Sequence, residues 1–502
     1  MLNLAHLKRI AIAAAATVLL ALPASPVLAA KTTIVMGMAV EPTGLDPTIA
    51  APVAIGQVTW QNIYQGLVRL DRDGKVQPQL AESWTVSPDG LTYSFKLRTG
   101  AKFQNGVPFD SAVAKFALER AKAADSVNPQ KRFYTVITTI ETPAPDTLVL
   151  KLAEPSGNLL YRLAWPAAVM VEPKSAADNK TAPVGTGPFK LKNWVKGDRV
   201  ELERDASFWD SSKKIALDII TFRFIGDPQA QVAALQSGDV DAMAGIGAAE
   251  LYSKFQNDKR FAAVTGNTEL KVVAGMNNTR KPFDDPRVRK ALMMAVDRNL
   301  LVNAVYSGFG QVIGSHYTPN DPGYIDLTGV HSYDPKKAKA LLAEAGFPNG
   351  FSFTFKTPQM AYATRSAEVL QAMFAEVGVK MNIVPTEFPA KWVSEVFTGG
   401  DFEMTIIAHA EPMDIDIYAR EKYYFNYKNP AFTKVNADAE RTTDDAARAK
   451  LYGEAQKILA DDVPALYLFV LPKLGVWNAK LEGLWKNEPI PSNDLTEVRW
   501  TE

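Results

Sequence analysis

Hydrophobic residues follow two different periods along this chain, and the change comes near Val272. Before that residue, stretches such as LTYSFKLR (91–98) and TLVLKL (147–152) alternate apolar and polar positions, which predicts strands with one buried face. Turn residues such as Asp73 and Gly74 separate these stretches and predict hairpins. After Val272, strand-like runs alternate with apolar residues at helical spacing, which predicts a mainly parallel sheet with helices. The pattern as a whole predicts an α/β fold.

The strongest helical pattern covers residues 284–306. Asp284 or Asp285 is placed to cap the first turn, and Pro286 is placed to begin it, because proline at the first helical position loses no backbone hydrogen bond. The apolar face of the pattern consists of Val288, Leu292, Ala295, Val296 and Leu300. We expect one helix to extend through the whole stretch.

The stretch from Asp401 to Tyr427 changes character in its middle. Met404 to Ala408 form a continuous apolar run, which is typical of a strand buried on both faces. The chain then carries polar side chains, namely His409, Glu411, Asp414 and Asp416. Polar residues just beyond the carboxyl end of a buried strand lie where α/β folds commonly bind small ligands. The alternative interpretation is a solvated loop that carries a few acids.

Charge and cysteine content narrow the function classes. The 502 residues include 55 basic and 55 acidic side chains, so the net charge does not indicate binding to nucleic acid or to an anionic membrane. The chain has no cysteine, which excludes structural disulfides, thiolate chemistry and the acylated cysteine of a lipoprotein. Hydrophobic residues make up 47% and charged residues 22%, as in an ordinary globular protein.

Residues 1–29 have the pattern of a signal peptide. Lys8 and Arg9 form a basic segment, residues 10–22 form an apolar segment, and residues 27–29 resemble a small-residue cleavage site. The apolar segment is short for a membrane span, and no later stretch reaches the necessary length. We therefore expect an exported mature chain that begins at Ala30 and lies free in the periplasm.

Catalytic and metal-binding motifs are scarce. His316, His331 and His409 are widely separated and no calcium loop is complete, so we expect neither a metal site nor a cofactor. Ser211 and Lys214 match the SxxK pattern of some hydrolases, but they stand in a polar stretch without its companion motifs. We do not expect an enzyme. The alternatives are an exported hydrolase and a structural or chaperone-like role for exposed aromatic residues.

Several segments resemble, in their order and spacing, the extracellular solute-binding proteins of family 5, which include the peptide- and nickel-binding proteins of ABC importers. The segments are EPTGLDP (41–47), YQGLVRLDRDGKVQPQLAESWTVSPDGLTYSFKLRTGAKFQNGVPFD (64–110), GTGPFKLKNW (185–194), AALQSGDVDAM (233–243), MNNTRKPFDDPRVRKALMMAVDR (276–298) and YDPKKAKALLAEAGF (333–347). They span most of the predicted mature chain, so the resemblance is specific for the family and much less specific for the ligand.

The resemblance implies a two-lobe periplasmic-binding-protein fold with a ligand cleft at the hinge. Lobe I would be discontinuous, with residues 30–273 and 471–502, and lobe II would comprise residues 274–470. The implied function is the substrate-binding component of an ABC importer. A monomer would capture a peptide or a peptide-like small polar solute and deliver it to permease subunits in the inner membrane. Opines, glutathione-like conjugates and oligosaccharides are the alternative ligands.

The resemblance also places the ligand contacts in the Asp401–Tyr427 stretch. Peptide-binding members usually carry a tryptophan where His409 stands, followed shortly by an aspartate that pairs with the peptide's ammonium group. Here the nearest acids are Glu411 and Asp414, which we expect to anchor cations or hydroxyls of the ligand. His409 and Met413 are expected to form the neighbouring cleft wall.

Three further ligand contacts are expected outside that stretch. Glu41 and Thr43 follow the first predicted strand and would line the cleft from the opposite lobe. Asn277 stands near the crossover between the lobes, from where an amide side chain would reach a polar ligand.

Overall fold

The computed structural model describes residues 31–411 and 413–501, and the predicted signal peptide lies outside these ranges. The strands are β1 Thr33–Met38, β2 Val68–Leu70, β3 Val76–Pro78, β4 Ala81–Val86, β5 Thr92–Leu97, β6 Ile137–Ala144, β7 Thr147–Leu152, β8 Phe189–Val195, β9 Arg199–Arg204, β10 Ile219–Phe224, β11 Ala242–Met243, β12 Phe261–Met276, β13 Gln311–Val312, β14 Ser352–Pro358, β15 Lys380–Thr386, β16 Met404–His409, β17 Ala465–Asn478, β18 Leu481–Glu482 and β19 Arg499–Trp500. The helices are α1 Val53–Thr59, α2 Ser111–Lys122, α3 Lys131–Tyr134, α4 Leu159–Leu163, α5 Pro228–Ser237, α6 Ala249–Tyr252, α7 Pro286–Met294, α8 Arg298–Tyr306, α9 Pro335–Glu344, α10 Ala361–Glu376, α11 Ala390–Trp392, α12 Pro430–Arg441 and α13 Asp445–Asp462. Short 3-10 helices occupy Pro166–Ala168 and Asp414–Tyr418, and a π-helix occupies Val393–Thr398. Across the two described ranges, no helix has the length and apolar character that a bilayer span requires.

One mixed sheet passes through both halves of the molecule, in the order β15-β14-β16-β12-β17-β11-β1-β10-β9-β8. Its two longest strands, β12 with 16 residues and β17 with 14, are antiparallel neighbours at the centre. The end of β12 at Lys271–Met276 pairs with β16, whereas the end of β17 at Val476 and Trp477 pairs with β11. The two strands therefore connect two α/β lobes, and the predicted two-lobe fold is confirmed.

The lobes share these central strands, so the boundaries between them lie inside the strands. The boundaries predicted from the sequence, after residues 273 and 470, fall within β12 and β17. Val273 pairs with Tyr467, so the two predicted boundaries lie close together in space. The exact division stays a prediction, because the shared strands contribute to both lobes.

Lobe I contains a second, antiparallel sheet in the order β4-β5-β7-β6. In β5, Tyr93, Phe95 and Leu97 are buried while the residues between them are more exposed, as the alternating pattern predicts. Leu148 and Leu150 of β7 pack into the same core with α2. Helices α3 and α4 of lobe I face lobe II, to which Arg132 and Arg162 form ion pairs.

Lobe II buries both faces of its part of the large sheet, and its strands are continuously apolar for that reason. Val272 and Ala274 of β12 pack into one core with α7, α8 and α10. Val273 points to the opposite face and packs with α12 and α13. The predicted strand at Met404 is confirmed as β16, which extends to His409.

The expectation of one helix over residues 284–306 is wrong, because the stretch forms α7 and α8. Pro286 begins α7 as predicted, and Asp285, one of the two predicted caps, accepts the capping hydrogen bond. A second aspartate, Asp297, then accepts hydrogen bonds from backbone N–H groups of the following turn and starts α8. An aspartate side chain competes with helical carbonyls for these donors, so it favours a new helix start over continuation.

Candidate ligand-binding site

The Asp401–Tyr427 stretch delivers its polar residues to the junction between the lobes. Strand β16 lies between β14 and β12 and is buried from Met404 to Ile407. It ends at His409, and the 3-10 helix that follows begins at Asp414. Ala410 and Glu411 follow the carboxyl end of the strand and face lobe I.

A cavity lies between the lobes at this point, which we call the main pocket. Ala410 and Glu411 line it from lobe II. Lobe I contributes the opposite wall from residues around Pro47–Gly56, which include the first turn of α1, and from Trp165–Ala167 and Pro491. The walls of this pocket are mostly apolar. An apolar cleft with a few polar groups is typical of a site for a small solute.

A smaller inner pocket adjoins the main pocket, because Gln130, Trp165 and Glu411 line both. Asn158 and Arg162 contribute polar groups to the inner pocket from lobe I. Met413 and Asp414 line it from lobe II, so both cavities are built from both lobes. A solute that fills them touches lobe I and lobe II at the same time.

Glu411 presents a carboxylate to both pockets. Its side chain keeps 44% of its surface exposed, and the nearest cation is Arg132, whose Nη2 lies 3.9 Å from Glu411 Oε2. Loss of solvation in the cleft raises the pKa of Glu411, and the charge of Asp414 raises it further. A cationic group placed beside Glu411 would stabilise its ionised form.

Asp414 also reaches the inner pocket, but the protein already neutralises its charge. Lys271 Nζ lies 3.1 Å from Asp414 Oδ1, and His316 Nε2 lies 3.0 Å from the same oxygen. Burial alone would raise the pKa of Asp414, but Lys271 and His316 outweigh burial and hold that pKa well below its usual range. Asp414 is therefore an ionised partner within the protein.

His409 packs beside His316 and Asp414 as a neutral imidazole. Burial, and next to it the neighbouring His316, lowers the pKa of His409 to about 3. Its Nε2 lies 3.0 Å from the Tyr424 hydroxyl, and its ring meets the His316 ring edge-to-face at 4.9 Å. The side chain is thus held by hydrogen bonding and aromatic packing.

Met413 turns the chain from the pocket into the 3-10 helix. Its φ of 55° lies in the left-handed region, which is unfavourable for a residue with a side chain. The Met413 N–H donates to Asp321 Oδ1 at 3.2 Å, and this bond helps to hold the turn. The turn directs the Met413 side chain to the inner pocket, where it contributes an apolar wall.

His316, His409 and Asp414 are close enough together to share a metal ion, since one ligand atom from each lies within 4.8 Å of the others. The Lys271 ammonium already lies 3.1 Å from Asp414 Oδ1. The Tyr418 hydroxyl lies 3.3 Å from His316 Nδ1. These side chains therefore take part in a hydrogen-bond network in which Lys271 already neutralises the charge of Asp414.

The structure does not bring the other three predicted contacts to the pockets. The Glu41 carboxylate accepts hydrogen bonds from Trp194 Nε1 at 2.9 Å and from the Gly197 N–H at 3.0 Å, which ties its loop to the β8–β9 hairpin. Thr43 is exposed on lobe I. Asn277 is 3% exposed and donates from Nδ2 to the Gly400 carbonyl at 3.2 Å, so its amide serves the lobe II backbone.

Two important side chains were absent from the sequence-based prediction. Lys271 is a lone cation in an apolar stretch. A cation in a buried strand requires an acidic partner, so the sequence could have predicted an ion pair at Lys271. No pattern in the sequence indicates a role for Arg132. Its Nη2 lies 3.4 Å from Asp416 Oδ1 across the lobe junction, and only the tertiary fold brings these distant residues together.

Comparison with known proteins places this geometry among solute-binding proteins. The sequence model for the middle region of the bacterial extracellular solute-binding proteins, family 5, matches residues 75–429 of this chain. The glutathione-binding protein GsiB of Escherichia coli (strain K12) is 32% identical over 488 residues, which covers 93% of this chain and 94% of GsiB.

Two solved structures extend the similarity to the fold. The periplasmic binding protein AgaA of A. tumefaciens R10, in complex with agropinic acid, has a TM-score of 0.80 and 26% identity and covers 94% of this chain and 99% of its own. The oligopeptide-binding protein AppA of Bacillus subtilis, in complex with a nonapeptide, has a TM-score of 0.80, 25% identity and the same coverage.

Proposed function

The chain belongs to family 5 of the bacterial extracellular solute-binding proteins, and from this membership we propose that it is the substrate-binding component of an ABC importer. In this role the mature chain acts in the periplasm as a monomer. It captures a peptide or a peptide-like small polar solute between its lobes and delivers that solute to permease subunits in the inner membrane.

The observation that carries this proposal is that both lobes line the main and inner pockets. A solute bound there gains contacts that exist only when the lobes are closed. Since a ligand shifts a conformational equilibrium only through its different affinity for the two states, such a solute favours closure. Ion pairs between the lobes add to the closed state, including Arg162 Nη2 with Glu440 Oε2 at 2.6 Å.

The charges at the pockets favour a solute that carries an amine. Of the acids that line the two cavities within residues 31–411 and 413–501, Asp414 is already paired with Lys271, whereas Glu411 has its nearest cation at 3.9 Å. Peptides, glutathione-like conjugates and opines that have a basic amine offer an ammonium group to Glu411. An oligosaccharide offers only hydroxyl groups, so we consider it a less favoured ligand than these three classes.

We propose binding rather than catalysis. Ser211 and Lys214, which form the SxxK match, are both exposed and line neither pocket. The family and the named relatives are binding proteins. A hydrolase would therefore need a catalytic group that is different from this pair.

A thermal-shift screen of the purified mature chain tests the proposal. Dipeptides, oligopeptides, glutathione, opines and oligosaccharides are added separately, and one class is expected to raise the melting temperature with increasing dose, because a ligand that binds only the folded state stabilises it. Native mass spectrometry of the freshly purified protein provides a second measurement of any solute that remains bound. If no class shifts the melting temperature and no solute co-purifies, the proposed function is wrong.

A further inference from the structure

The main pocket offers an apolar surface beside the Glu411 carboxylate. Among the described residues that line this pocket, Glu411 is the only one with a charged side chain, and most of the others are proline, alanine or larger apolar residues. Val53 belongs to this lining and keeps 39% of its surface exposed, and Trp165 is half-buried. A solute group that packs against these two side chains removes apolar surface from water, which favours binding.

Gln130 adds one polar group to the same space. It is 4% exposed and lines both the main pocket and the inner pocket. The Tyr134 hydroxyl donates to Gln130 Oε1 at 3.2 Å, whereas Gln130 Nε2 makes no hydrogen bond within residues 31–411 and 413–501. A buried amide group without an acceptor loses the hydrogen bonds that it makes in water. Gln130 is therefore suited to donate a hydrogen bond to a carbonyl oxygen of the solute.

The cations near Glu411 are already engaged by acids of lobe II. Arg132 Nη2 lies 3.4 Å from Asp416 Oδ1, and Arg132 is not among the described residues that line either pocket. Arg162 lines the inner pocket, but its Nη2 lies 2.6 Å from Glu440 Oε2. A solute carboxylate next to the ammonium group would lie close to the like charge of Glu411, which is unfavourable. The pocket thus favours an uncharged group in that position.

We propose that the main pocket recognises the amino-terminal residue of a peptide whose first side chain is apolar. The ammonium group binds Glu411, the first carbonyl oxygen accepts a hydrogen bond from Gln130 Nε2, and the side chain packs against Val53 and Trp165. The inference rests on the proposed function and narrows its solute to one class. Glutathione carries a carboxylate next to its ammonium group, so we expect it to bind more weakly than such a peptide.

Three tripeptides, which have the same number of residues as glutathione, test this specificity by isothermal titration calorimetry with the full mature chain. Val-Ala-Ala carries an apolar first side chain. Thr-Ala-Ala replaces one methyl group of that side chain by a hydroxyl, and N-acetyl-Val-Ala-Ala lacks the ammonium group. Glutathione is the fourth probe.

Two variants test the assigned residues. Val53→Thr makes the pocket wall more polar, and Gln130→Met removes the proposed donor at similar length. Val86→Thr is the control for Val53→Thr, because Val86 is 38% exposed on lobe I and is not among the described residues that line either pocket. Urea denaturation verifies that each variant folds, and the four probes on the wild type decide the specificity if Gln130→Met does not fold.

The wild type and Val86→Thr are expected to bind Val-Ala-Ala several-fold more tightly than Thr-Ala-Ala or glutathione. N-acetyl-Val-Ala-Ala should bind roughly tenfold or more weakly than Val-Ala-Ala, because it cannot form the charged hydrogen bond with Glu411. Val53→Thr should reduce the preference for Val-Ala-Ala over Thr-Ala-Ala, and folded Gln130→Met should bind Val-Ala-Ala several-fold more weakly.

Four outcomes overturn the inference. They are equal wild-type affinities for Val-Ala-Ala and Thr-Ala-Ala, tighter binding of glutathione, unchanged binding in both Val53→Thr and folded Gln130→Met, and binding of another solute class when none of the tripeptides binds. The proposed function remains in all four cases as long as some solute class binds the wild type. It fails when no solute class binds.

Discussion

The Lys271 ammonium lies 3.1 Å from Asp414 Oδ1, and the exposed fractions of the two side chains are 0% and 3%. Lys271 extends from the shared strand β12, whereas Asp414 begins the 3-10 helix after β16. Lys271 Nζ also donates to the Glu411 carbonyl at 2.7 Å, so one ammonium group contacts both Glu411 and Asp414. The pair neutralises Asp414 inside the protein, whereas Glu411 faces the main pocket.

Lys271→Met should unfold more easily than the wild type, because it leaves the Asp414 charge buried without its main partner. Breaking a buried ion pair by removing one partner costs about 3–5 kcal/mol. Urea denaturation gives the change in the free energy of unfolding. The double variant Lys271→Met, Asp414→Asn removes both charges and should recover a large part of the loss. Equal stability of the single and double variants would contradict the assigned pairing.

Glu411→Gln should weaken solute binding and leave folding nearly unchanged. A hydrogen bond to a charged group contributes about 1.5–3 kcal/mol, so the dissociation constant should rise roughly ten- to a hundredfold. Isothermal titration calorimetry with the solute found in the screen measures this change. Glu421→Gln, at an exposed position of the same stretch, is the matched control and should bind normally. Unaltered affinity together with a large loss of stability would instead make Glu411 a structural residue.

Features that depend on neighbouring residues could be predicted from the sequence. The apolar run at Met404 indicated a buried strand, and Asp285 with Pro286 indicated a helix start, because residues close together in the chain determine both. The division of residues 284–306 was missed. Asp297 competes for backbone donors within an amphipathic pattern, and the periodicity alone does not reveal which tendency prevails.

The identity of the site residues depended on contacts between distant parts of the chain. Glu41 follows the first strand as expected, but Trp194 and Gly197 bind its carboxylate on lobe I. Asp414 was expected to face the solute, but its carboxylate forms an ion pair with Lys271. Spacing along the chain places a loop at the lobe junction, whereas only the packed structure shows which of its acids already have a partner.

The contribution of His409 to stability should fall on acidification from pH 7 to pH 5. In the unfolded chain a histidine has a pKa near 6.5, whereas the pKa of His409 in the folded chain is about 3. The unfolded state therefore binds more protons between these values, and stability falls as the pH falls through that window. The contribution of His409 at pH 5 is about 2 kcal/mol.

His409→Gln tests this assignment, because glutamine does not titrate and keeps a donor for the Tyr424 hydroxyl. Urea denaturation of the wild type and the variant at pH 7 and pH 5 gives the two pH dependences. The variant should lose less stability on acidification, by up to about 2 kcal/mol. Parallel losses in both proteins would mean that His409 is not held neutral by burial.

Gly157→Ala should hinder closure of the lobes without unfolding either of them. A Cβ atom at Gly157 would lie 2.1 Å from the Thr442 carbonyl oxygen and 2.9 Å from Arg448 Cδ, and both of these residues belong to lobe II. Alanine fits the backbone conformation of residue 157, so the conflict arises only when the lobes meet. The closed state should therefore become less populated, and the apparent affinity for the solute should fall by the same factor.

Calorimetry measures the affinity of Gly157→Ala, and small-angle X-ray scattering with saturating solute should show a larger radius of gyration than for the wild type. Gly329→Ala, where an added Cβ meets no atom within 4 Å, is the control and should behave as the wild type. Wild-type affinity in Gly157→Ala would mean that the two lobes do not need this contact to enclose the solute.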